Sequence, residues 1–168
     1  MNKFLSTLIA VALSTALVTT DSYADSITDY VKDVPGIGLI SDIVKFDGIE
    51  ISNFTFAENN KYIFVHPEEE FVADMDYAIN SELLTSLHLH HFIIGLADDG
   101  PQACIIHSLG LGDKSGHATV TLKAPKKSGV YQVRFCHTET LTDQQAFNAW
   151  WRGDGPSAKT IVGIVVVK

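Results

Sequence analysis

Residues 71–79 read Phe-Val-Ala-Asp-Met-Asp-Tyr-Ala-Ile, and their side chains alternate between two classes with a period of two. The apolar class occupies every odd position, from Phe71 to Ile79, and carboxylates stand between at Asp74 and Asp76. Successive side chains of a strand point to opposite faces of its sheet. The pattern therefore predicts an antiparallel strand that is buried on one face and wet on the other.

Further strands are predicted on both sides of this segment, because apolar runs with β-branched residues end at turn residues. They lie at 49–56, 62–65, 87–96, 103–108, 118–122, 130–136 and 160–167. One short helix is predicted before the last strand, since Thr142 and Gln145 have capping-box spacing. The sequence thus predicts an all-β, antiparallel two-sheet sandwich of about seven or eight strands with one short helix.

Residues 122–135 read Leu-Lys-Ala-Pro-Lys-Lys-Ser-Gly-Val-Tyr-Gln-Val-Arg-Phe. This stretch resembles the late strand pair of immunoglobulin-like and fibronectin-III-like domains, where a loop with Pro or Gly precedes a strand that carries a buried tyrosine. The resemblance implies an immunoglobulin-like sandwich in which Tyr131 is the buried tyrosine. It concerns the fold alone and implies no activity.

Residues 1–24 have the three regions of a bacterial secretory signal peptide: Lys3 near the start, an apolar run, and Ser22 and Ala24 before the cleavage point. The alternative is a membrane anchor, but the run is shorter than the roughly 20 residues of a spanning helix. We expect a lead-in segment at 25–47 and the sandwich at 48–168. The mature protein is then periplasmic or secreted, with no membrane span.

The composition excludes several classes of function. Twelve Lys and Arg stand against 20 Asp and Glu, a formal net charge of −8. Nucleic-acid binding needs a basic face, so this charge argues against it. The chain also lacks the sequence motifs of nucleophile elbows, zinc proteases, phosphate loops and dithiol redox sites. These observations favour a binding module over an enzyme, and they assign no catalytic residue.

Cys104 and Cys136 are the two cysteines of the chain. Each falls on or at the end of a predicted strand. Export to an oxidising compartment would favour a disulfide between them. The segment that ends in Cys136 and His137 also resembles the copper-binding strand of cupredoxins, but that family needs a gap between its cysteine and the next histidine.

Histidines form the most suggestive chemical cluster. His88 and His90 have the spacing of two side chains on one face of a strand, about 7 Å apart. With His107 or His137 from a neighbouring strand they could bind zinc or copper. The alternative is a set of hydrated or hydrogen-bonded histidines with no metal, and in that case the protein has no cofactor.

Residues between the helix and the last strand offer a second kind of site. Trp150 and Trp151 could stack on sugar rings, and Arg152 and Asp154 belong to an Arg-Gly-Asp tripeptide. The sequence therefore leads to two expectations. The first is an exported, non-catalytic module for a protein or carbohydrate ligand, and the alternative is a periplasmic zinc- or copper-binding protein.

Overall fold

A computed structural model describes residues 40–57, 60–80, 89–109, 115–150 and 158–168. Two stacked sheets of mostly antiparallel strands form a sandwich, as the alternation at residues 71–79 predicts. The elements in chain order are β1 (Ile43–Phe46), β2 (Ile49–Thr55), β3 (Tyr62–Val65), β4 (Glu70–Ile79), β5 (Leu89–Leu96), β6 (Gly100–Leu109), β7 (Ser115–Lys123), β8 (Gly129–Glu139), α1 (Asp143–Ala149), a 3-10 turn (Ala158–Thr160) and β9 (Ile161–Val167).

The first sheet has the order β1-β2-β4-β7, and the second has the order β3-β9-β8-β5-β6. Strand β3 runs parallel to β9, and the other described strand pairs are antiparallel. The core lies between the sheets. Met75 of β4 and Phe92 of β5 are among its most deeply buried side chains. Every residue of β9 is buried, as expected for a strand that is covered on both faces.

Strand β1 lies inside the segment that we expected to be a lead-in. Its four residues pair with β2 across a tight turn at Asp47 and Gly48. Only Val44 of this strand is buried, so the sequence has almost no alternation to reveal it. The predicted signal peptide at 1–24 and the rest of the lead-in, up to residue 39, lie outside the described residues.

The predicted disulfide between Cys104 and Cys136 is not formed in the structure. Both cysteines are register partners of Ile93, Cys104 from β6 on one side of β5 and Cys136 from β8 on the other. Two strand spacings of about 4.8 Å separate their Cα atoms, whereas a disulfide needs about 4.4–6.8 Å. The expectation is corrected because an intervening strand holds the two residues apart.

Helix α1 begins as the capping-box spacing predicts. Thr142 is the N-cap, and its hydroxyl accepts a hydrogen bond from the backbone N–H of Gln145. The Gln145 side chain accepts in return from the backbone N–H of Leu141. The helix packs on the outer face of the second sheet, where Ala146 and Trp150 contact Ile93.

Replacing Thr142 by Ala should lower the free energy of unfolding by about 1 kcal/mol, since the Gln145 N–H loses its acceptor. Urea unfolding followed by tryptophan fluorescence measures this change. Asn148→Ala on the same helix is the control, because Asn148 is exposed and Ala favours helix. If the two variants are equally stable, Thr142 does not cap the helix.

Candidate metal centre

Three possible metal ligands meet on the two central strands of the second sheet. The register of β5 and β8 pairs His90 with Glu139 and Phe92 with His137. Phe92 belongs to the core between the sheets. Because alternate residues share a face, the three side chains lie on that inner face, at the end of the sandwich where β5 begins and β8 ends.

The donor atoms of this group, His90, His137 and Glu139, lie within 4.8 Å of one another. His90 Nδ1 is 2.9 Å from His137 Nε2 and 3.9 Å from Glu139 Oε1. The two imidazole rings are stacked, with centroids 5.1 Å apart. We call this group the histidine–glutamate cluster. Its imidazoles are almost fully buried, so the backbone and the core hold them in place.

Asp47 connects the histidine–glutamate cluster to the first sheet. It lies in the turn between β1 and β2, where Asp47 and Gly48 both have positive φ, 47° and 73°. This Asp-Gly pair makes a tight hairpin turn of the type that needs two left-handed residues. The turn brings Asp47 Oδ2 to 3.4 Å from His137 Nδ1.

The contact with Asp47 selects one tautomer of His137. An ionised carboxylate only accepts hydrogen bonds, so the proton of neutral His137 belongs on Nδ1. Nε2 then presents a lone pair, and in the absence of an ion it accepts a hydrogen bond from His90 Nδ1. A carboxylate that orients an imidazole in this way is the usual support of a histidine ligand.

Burial lowers the pKa of His137 below its ordinary value of 6.5, and nearby His90 adds to this effect, while Asp47 and Glu139 oppose it. The unfolded chain therefore takes up a proton at this residue at a higher pH than the folded chain does. Above 6.5 both states are neutral at His137. Below that value the unfolded state gains a proton first, so acid favours unfolding.

We expect the free energy of unfolding of the metal-free protein to fall as the pH is lowered from 7 towards 5. Urea titrations at several pH values measure the slope. His137→Gln removes the titrating group and should make the dependence shallower. An unchanged slope in that variant would show that other groups cause the acid sensitivity.

His91 follows His90 in sequence but belongs to a different set of contacts. Its side chain is fully buried. His91 Nδ1 is 3.1 Å from Thr140 Oγ1, and its Nε2 is 3.1 Å from Asp143 Oδ1 in the first turn of α1. Since adjacent strand residues point to opposite faces, His91 anchors the helix on the outer face and takes no part in the cluster.

Two of the four histidines predicted as metal ligands meet in the structure, His90 and His137. His107 pairs in register with His91 and not with His90. His88 lies outside the described residues. The sequence analysis missed Glu139 and Asp47. The Asp-Gly pair between apolar residues is a hairpin signal that could have revealed the turn, but its closeness to His137 could not be read from the sequence.

Cys136 faces away from the histidine–glutamate cluster. It is the register partner of Ile93, and His137 is the partner of Phe92, so the two adjacent side chains leave opposite faces of the sheet. Burial raises the pKa of the Cys136 thiol to about 12, with smaller contributions from Asp47 and Cys104. A cupredoxin-type copper site, which needs a thiolate beside its histidines, does not fit this geometry.

The predicted ligand-binding residues are described only in part. Trp150 is 7% exposed and packs against Ile93 and Ala146, so its ring is no stacking platform for a sugar. Trp151, Arg152 and Asp154 lie outside the described residues. The protein- or glycan-binding role that we assigned to them therefore stays a prediction.

Comparison of the chain with protein-family models, curated proteins and solved structures found no match. The immunoglobulin-like relationship of the sandwich consequently stays a prediction as well. Within the described ranges, no helix has both the length and the apolar character that crossing a membrane requires.

Proposed function

We propose that this protein binds a divalent transition-metal ion, zinc or copper(II), through the histidine–glutamate cluster. The observation that carries the proposal is the approach of two buried imidazole nitrogens to 2.9 Å, with a carboxylate beside them. Two imidazoles and one carboxylate are a ligand set of zinc sites, and imidazole also suits copper(II). The role belongs to the class of binding proteins and involves no catalysis.

The spacing of the donors suits such an ion after a small adjustment. Zn–N bonds of about 2.0–2.1 Å in tetrahedral geometry put two nitrogens about 3.3 Å apart. The pair His90 Nδ1 and His137 Nε2 must therefore separate by a few tenths of an ångström. His90 must also carry its proton on Nε2, because Nδ1 becomes the ligand atom.

The proposal includes the exported location that residues 1–24 predict. Imidazole and carboxylate ligands do not depend on reduced thiols, so the site would tolerate an oxidising compartment. The two cysteines lie on the outer face of the sheet and do not compete for the ion at this centre.

Isothermal titration of tag-free protein with zinc, and separately with copper(II), tests the proposal. We expect one ion per chain and saturable binding that weakens as the pH falls, because protons compete for the imidazoles. Metal analysis after dialysis against a weak chelator checks the stoichiometry. Absence of binding by both ions at neutral pH would refute the proposed function.

Asp47→Asn should weaken zinc binding by about 10- to 100-fold, the usual effect of losing the carboxylate that supports a histidine ligand. Competition with a chromophoric chelator measures the affinity. Asp98→Asn is the matched control, because it removes the same charge from an exposed residue at the far end of β5. Equal affinities of the two variants would show that Asp47 does not support His137.

A further inference from the structure

We propose that the bound ion keeps a coordination position open to solvent, and that a small monoanion binds there. This inference rests on the proposed metal binding and extends it to a second ligand. It concerns the accessible side of the histidine–glutamate cluster, next to the turn between β1 and β2.

The protein donors come from one side of the ion. His90, His137 and Glu139 lie on the same face of two adjacent strands, β5 and β8. Zinc takes four ligands in its commonest geometry, and sites with three protein ligands leave the fourth position to water or substrate. Within the described ranges, no further His, Cys, Asp or Glu joins the group of three.

Burial changes sharply across the cluster. The side chains of His90 and His137 are 3% and 6% exposed, whereas those of Glu139 and Asp47 are 40% and 57% exposed. The imidazoles therefore bind the ion from the interior. Solvent reaches it between the end of β8 and the β1–β2 turn, and a ligand arriving from outside passes the two carboxylates.

Charge selects the class of that ligand. Two neutral imidazoles and the Glu139 carboxylate leave a divalent ion with one net positive charge. A monoanion neutralises this charge, and Asp47, which contacts His137, adds a negative charge at the entrance. Like charges repel there, so a dianion is disfavoured and the site selects a small, singly charged donor.

Cobalt(II) with sodium azide as the probe tests the inference. Loading cobalt should give intense visible bands of a low-coordinate site, and azide should change them in a saturable, one-to-one manner. Sulfate, a dianion, should bind at least about fivefold more weakly than azide because it meets the charge of Asp47.

The outcomes separate this inference from the proposed function. No cobalt spectrum at all means that the metal site itself is wrong. An intense cobalt spectrum that excess azide leaves unchanged means that the ion is bound but closed, which overturns the open position alone. Release of cobalt into solution by azide also overturns it, because the anion then competes with the protein ligands.

His117 provides the control for adventitious binding. It is exposed on the outer face of the first sheet, with Nδ1 2.9 Å from Asp76 Oδ1. His117→Ala should keep both the cobalt spectrum and its response to azide. Loss of the response in this variant would place the cobalt at the surface histidine and contradict the inference.

Discussion

Replacing His137 by Ala is expected to weaken zinc binding by more than about 100-fold, beyond the loss that follows removal of a supporting carboxylate. The variant removes the one ligand that both lies within 2.9 Å of His90 and contacts Asp47. The two donors that remain, His90 and Glu139, are too few for a stable site of this kind. Isothermal titration and chelator competition at neutral pH measure the loss.

The same experiment with His117→Ala separates a specific site from general affinity of imidazole for metals. His117 has carboxylates near both ring nitrogens but lies on the other sheet, where it is exposed. Its replacement should leave the affinity for the first zinc ion unchanged. Equal losses in the two variants would indicate scattered surface binding, and circular dichroism confirms that each variant is folded.

Phe92→Ala is expected to lower the free energy of unfolding by about 3–5 kcal/mol, the cost of removing a large side chain from a packed core. Phe92 is 1% exposed, and its ring makes edge contacts with Tyr77 of the first sheet and Phe135 of the second. The substitution leaves a cavity between the two sheets. Urea unfolding measures the change in stability.

Val72→Ala is the control for this experiment. Val72 belongs to β4 but is 45% exposed, so its truncation should cost no more than about 0.5 kcal/mol. A loss below about 1 kcal/mol for Phe92→Ala would contradict the close packing of the two sheets at this point. Phe92 also pairs with His137, so a folded variant with weakened zinc binding would link core packing to the geometry of the site.

The sequence predicted the parts of the fold that depend on local alternation or on apolar runs. The strand at residues 71–79 was confirmed because one face is buried and the other is wet, and β9 was confirmed because every residue is apolar or small. Helix α1 was confirmed through its cap at Thr142. Strand β1 was missed, since an edge strand with one buried residue has no periodicity to detect.

The metal centre was predicted only in part, for a physical reason. His90 could be selected from sequence because the histidine pattern around it is local. Its partners come from β8 and from the β1–β2 turn, and nothing in the sequence states which strands become neighbours. The same limitation made the disulfide prediction wrong: the spacing of the cysteines said nothing of the strand that lies between them.

The sequence by itself therefore determined the all-β class, most strand positions, the short capped helix and the presence of chemically capable histidines. These are local properties, because each depends on neighbours within a few positions along the chain. Only the tertiary structure decided which side chains meet. Strand order and register placed His137 and Glu139 beside His90 and turned Cys136 away, because a shift of one residue reverses every side chain on a strand.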